Sequence, residues 1–121
     1  MSATVLMYCL SVQKEAALRE LGEKLSLRMI SVPASRHGCT IAQVLRNEGG
    51  ECAAKPPLRE EMLVMDLPGV LLDFFLQGMR QAGVDVPLKA VLTPTNVSWT
   101  AAALQQELQR ERQEFLRRNV K

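Results

Sequence analysis

The chain has 121 residues, with 15 Lys and Arg against 13 Asp and Glu, a net charge of +2, and it is 47% hydrophobic and 23% charged. That balance excludes wholesale disorder and fits a single domain over residues 1–121, long enough to bury most of its unfolded surface. The longest apolar run, Val5 to Leu10, falls far short of the ~18 residues of a membrane span. The apolar start, Ala3 to Val12, lacks a basic leader, which argues against a signal peptide.

Val5 to Leu10 reads as the first strand, bounded by Ser11. A helix follows over Val12 to Leu25. Ser11 is its N-cap, Leu18, Leu21 and Leu25 recur at helical spacing, and Glu15/Arg19 and Glu20/Lys24 are i,i+4 pairs. Leu27 to Val32 is the second strand, closed by Pro33. Residues 34–60 then form a long crossover rich in glycine and proline. Within it a short helix spans Ile41 to Asn47, with Thr40 and Gln43 at capping-box spacing and Gly49-Gly50 as its end.

The third strand is Met62 to Leu67, closed by Pro68-Gly69. The helix after it, Val70 to Ala82, is capped by Asp66 and stopped by Gly83. Leu88 to Thr93 is the fourth strand, between Pro87 and Pro94. Prolines stand at strand ends and nowhere inside, as a hydrogen-bonded ladder requires. A last helix runs from about Trp99 to the terminus, with Ser98 as N-cap.

The order is a β-α-β half (residues 4–33), the crossover (34–60), and a second β-α-β half with the terminal helix (61–121). Leu27-Arg-Met-Ile-Ser-Val-Pro33 also lines up with Leu88-Lys-Ala-Val-Leu-Thr-Pro94. This is an α+β chain, and the expected sheet is ferredoxin-like, a split βαβ arrangement. Strands one and three are then central and two and four are edges, in keeping with Arg28 and Lys89 in the latter pair. Both alternating residue sets of strands one and three are apolar, so both sheet faces need cover. The crossover, the final helix or another subunit would supply it.

Charge and residue usage narrow the chemistry. Residues 110–121 hold five basic and two acidic side chains, which leaves the rest at −1. A neutral body with five aromatics, Tyr8, Phe74, Phe75, Trp99 and Phe115, argues against nucleic acid as a partner. Cys9, Cys39 and Cys52 have no paired spacing and read as reduced thiols in a cytoplasm. Cys39, Cys52 and His37, the only histidine, could be drawn as three zinc ligands, but no Cys-x-x-Cys pair anchors them, and no metal is expected. No nucleophile–base pair or useful carboxylate pair emerges, so neither catalytic residues nor a cofactor is assigned.

The stretch Pro87-Leu-Lys-Ala-Val-Leu-Thr-Pro-Thr-Asn-Val-Ser-Trp-Thr100 is distinctive. Its core, Leu-Lys-Ala-Val-Leu-Thr-Pro-Thr-Asn with Trp three residues on, resembles the signature of a bacterial family of unassigned function, domain-of-unknown-function family 3783. The resemblance covers roughly Glu60 to Arg117 and implies a bacterial source but no activity. Physically, the stretch carries a strand into a helix N-terminus. Thr93, Thr95, Asn96 and Ser98 supply polar groups there, a candidate anion-binding loop competing with a plain capped turn.

Two helices offer interface candidates. Around Val70 to Ala82 the apolar positions fill about 200°, more than the ~100° one sheet needs. Phe74 on one shoulder, and Leu72 with Leu76 on the other, should therefore meet the crossover or a second chain. The last helix, about 33 Å long if it reaches Val120, carries a narrow seam of Ala101, Leu104, Leu108 and Phe115, with Glu111 or Arg112 interrupting the series. Its outer part near Phe115 and Leu116 is expected to dock on another subunit or an acidic partner. The leading expectation is a non-enzymatic protein-interaction or self-association module, the alternative a small-ligand or anion-binding regulatory domain.

Overall fold

A computed structural model describes residues 3–119. It is α+β, with four strands in one mixed sheet and, among the described residues, four α-helices. The chain divides into two compact units. One is the chain up to Pro33 together with Arg59–Leu92, and the other is Ala34–Leu58 together with the chain from Thr93 onward.

The first unit holds β1 (Thr4–Tyr8), α1 (Val12–Lys24), β2 (Arg28–Ser31), β3 (Met62–Asp66), α3 (Gly69–Ala82) and β4 (Leu88–Val91). The strand order is β2-β1-β3-β4. As expected, β1 and β3 are central, and Arg28 and Lys89 lie exposed on the edges. The ferredoxin-like expectation does not hold at one point. A split βαβ unit keeps another strand between its two parallel strands, whereas here β1 pairs directly with β2, and β3 with β4. Three residues, 25–27, separate α1 from β2, and so short a return sets β2 down beside the strand that launched the helix. The two β-α-β halves of this unit meet along an antiparallel β1/β3 pair centred on Leu6↔Val64.

One core occupies one face of this sheet. Val5, Met7, Leu63 and Met65 point into it from the strands, and Leu18, Phe75 and Met79 close it from the helices. Leu72 and Leu76 pack against this same core, so they belong to their own sheet and are not a surplus shoulder. Leu6, Tyr8, Met62 and Val64, on the alternate positions, are buried as well.

Local chemistry fixes the helix ends. The Lys14 amide donates to Ser11 Oγ at 3.2 Å, which caps α1. Gly83 stops α3 at φ +71°, a left-handed conformation that glycine adopts without a Cβ penalty. Asp66 does not cap α3. The N-cap position is Pro68, which has no side chain to donate or accept, and Asp66 ends β3 exposed.

The second unit holds a 3-10 turn (Ala34–Arg36), α2 (Ile41–Leu45), a second 3-10 turn (Asn96–Ser98) and α4 (Ala101–Asn119). Thr40 and Gln43 form a complete capping box on α2. The helix ends earlier than its glycine pair suggests, because Asn47 takes the left-handed conformation first, at φ +56°. The 3-10 turn at Asn96–Ser98 replaces the expected start of α4 at Trp99. The cap of α4 is accordingly Thr100, whose Oγ1 accepts from the Ala103 amide at 3.1 Å, and not Ser98. Thr40 and Thr100, the caps of α2 and α4, face each other in an antiparallel bridge, and the Ile41 amide donates to the Trp99 carbonyl at 2.9 Å. Val120, the expected end of α4, lies outside the described residues.

Candidate functional site

The Thr93–Ser98 loop spends most of its polar groups on itself. The Thr93 amide donates to Asn96 Oδ1 at 2.9 Å, and the Asn96 amide donates to Thr93 Oγ1 at 3.0 Å. This reciprocal pair works like a capping box and holds the chain as it leaves β4. The Ser98 hydroxyl donates to the Thr95 carbonyl, while Thr95 itself is exposed. With Thr100 capping α4, the loop is built as a turn, and Asn96 is its buried post. Asn96→Ala is expected to destabilise the chain by about 1–2 kcal/mol, because the Thr93 amide loses its acceptor. Asn96→Asp keeps an oxygen in place and should recover most of the loss, both read from urea unfolding midpoints.

The seam of α4 changes character along its length. Ala101, Leu104 and Gln105 are buried and Leu108 is half-buried, whereas Phe115 and Leu116 are 66% and 56% exposed. At 100° per residue all six fall on one side of the helix. The stripe is therefore covered over its first two turns, interrupted by Arg112, and exposed over its last two. Charged groups run alongside it. Arg110 forms ion pairs with Glu107 and Glu114, the latter at 3.1 Å, and Arg117 and Arg118 are exposed beyond them. The hydrogen bond from Arg110 holds the Glu107 carboxyl below its ordinary range, and Arg110 is pushed up in return. A second apolar ridge lies on α3, where Val70 and Phe74, one turn apart, are both exposed.

The cysteines are placed differently from one another, and none of the three is in a disulfide. Cys9, at φ +63° after β1, has its thiol pushed up, first by burial and then by the Glu61 carboxylate. Glu61 in turn accepts from Lys14 Nζ at 2.6 Å. Cys39 and Cys52 lie on one turn of the second unit, their thiols donating to the Gly50 and Gly49 carbonyls, and the neighbouring Cys39 thiol, with burial, pushes Cys52 up against the opposing pull of Arg36. Nothing in their spacing signals this contact. It is made by the loop between them, whose carbonyls at Glu48 and Gly50 accept from the Arg36 guanidinium. Among the described residues no three His, Cys, Asp or Glu side chains group as a metal ion would require, and no helix is long and apolar enough to cross a membrane.

No curated protein and no solved structure matches the chain. Residues 61–115, from the residue before β3 to Phe115 in α4, match the model of the family described as Domain of unknown function (DUF3783).

Proposed function

We propose that the chain is a small bacterial protein-interaction module that docks through the outer turns of α4. The carrying observation is the half-covered stripe, in which Phe115 and Leu116 continue a line whose inner members are buried. Exposing two large apolar side chains on one helix face costs solubility, and a docking surface accounts for them better than a solvated tail does. Arg117 and Arg118 flank the patch and favour an apolar partner surface with an acidic rim. They also oppose self-association through this end, since two copies would bring like charges together. The free thiols fit the reducing cytoplasm.

The test combines solution mass over a concentration series with a photocrosslinking amino acid at position 115 in cells. The expected result is a monomer that forms a discrete adduct, lost when Arg117 and Arg118 are changed to Glu. A dimer that Leu108→Ala with Phe115→Ala dissociates would make a second copy the partner and keep the docking surface. A monomer with no adduct at 115 overturns the reading.

A further inference from the structure

The second unit contains a pair of thiols that the docking surface does not use. Gly38 makes their meeting feasible. Its amide donates to the Cys52 carbonyl, and a Cβ at this position would stand 2.7 Å from that oxygen and 2.8 Å from the Ala53 carbonyl oxygen. The Cys52 amide completes the pairing by donating to Ser35 at 2.7 Å. The sulfurs then sit on consecutive carbonyls of one tight turn, Cys52 Sγ on Gly49 at 3.3 Å and Cys39 Sγ on Gly50 at 3.6 Å. Gly49 and Gly50 both hold positive φ there, and Arg36 braces the turn through Gly50. Cys39 is fully buried and Cys52 half-buried, so a small oxidant reaches one sulfur and not the other.

We propose that Cys39 and Cys52 are a reversible dithiol–disulfide site, closed by a peroxide acting on Cys52 and reopened by a low-molecular-weight thiol. In the first step the Cys52 thiolate attacks a peroxide oxygen. The O–O bond breaks, hydroxide leaves and takes up the thiol proton as water, and Cys52 becomes a sulfenic acid. Cys39 Sγ then attacks Cys52 Sγ, the S–S bond forms, and the S–O bond breaks with loss of a second water. Two electrons pass from sulfur to hydrogen peroxide, and two thiols with one peroxide give one disulfide and two waters. Reopening takes two electrons from two small thiols, which leave as their own disulfide. Closure removes the thiol donors from the Gly49 and Gly50 carbonyls and ties α2 into a covalent loop.

The experiment exposes the full chain to stoichiometric hydrogen peroxide, denatures it, alkylates free thiols with N-ethylmaleimide and maps tryptic peptides by mass. The expected outcome is a thiol titre falling from three to one, with Cys9 still alkylated and the peptides His37–Arg46 and Asn47–Arg59 joined. Dithiothreitol should restore all three thiols. In Cys39→Ser the sulfenic acid has no partner, so dimedone should label Cys52, which also tests the order of attack. Linkage through Cys9, disulfides only between chains, or Cys52 oxidised to sulfinic acid while Cys39 stays a thiol would each overturn the proposal.

Discussion

Phe75→Ala is expected to cost about 3–5 kcal/mol and to bring the chain close to unfolding at ambient temperature. Phe75 is fully buried among Val5, Met7, Leu63 and Met79, where α3 lies on the sheet. Removing the ring leaves a cavity lined by strands whose ladder holds them in place, so little can collapse into it. Against a total stability of roughly 5–15 kcal/mol, that loss dominates. Its neighbour supplies the control. Phe74 is 54% exposed on the same helix, and Phe74→Ala should change stability by no more than about 0.5 kcal/mol. Urea titrations of the two variants check the pair, and equal midpoints would contradict the packing described for α3.

The second large effect is expected at Gly38. The atoms that a Cβ would strike are backbone carbonyl oxygens of Cys52 and Ala53, not the flexible end of a side chain. Relief requires moving the chain at residues 52–53, which breaks the Gly38–Cys52 and Cys52–Ser35 backbone bonds. Gly38→Ala should therefore cost about 2–3 kcal/mol. It should also separate the two thiols, so the same variant is expected to lose most of the peroxide-induced peptide linkage. Thermal unfolding and the peptide map read these effects independently.

Much of the fold was legible because the signals were local. Ser11, Thr40 with Gln43, and Gly83 cap or stop helices through bonds spanning a few residues, and the basic residues in two strands marked the edges before any pairing was known. The strand order was not legible. Whether β2 lies beside β1 or one strand away depends on how α1 returns to the sheet, and the apolar alternation of the strands is the same in both arrangements. Two caps were misread for a related reason. Ser98 and Thr100 are equally good capping residues, and the 3-10 turn that decides between them is set by the Thr93–Asn96 bonds.

The candidate sites divide along the same line. Leu108, Phe115 and Leu116 were visible as a helical seam, but where cover ends along it depends on the fold. Cys39 and Cys52 were visible only as an odd pair thirteen residues apart around a short helix. Their contact depends on a glycine that lets two backbones touch and on an arginine that folds the intervening turn, neither of which has a spacing rule.

The antiparallel β1/β3 pair has a consequence for how the sheet survives dilution. Each half contributes a parallel two-stranded ribbon, too small to be stable alone, with β1 or β3 as its open edge. Antiparallel pairing is what a two-fold axis produces between equivalent strands. The sheet is thus organised like an isologous pair whose two β-α-β halves are joined covalently. The joining segment replaces a bimolecular equilibrium with an intramolecular one, where each edge meets its complement at an effective concentration set by linker length and not by expression level. Assembly of the sheet is thereby independent of protein concentration.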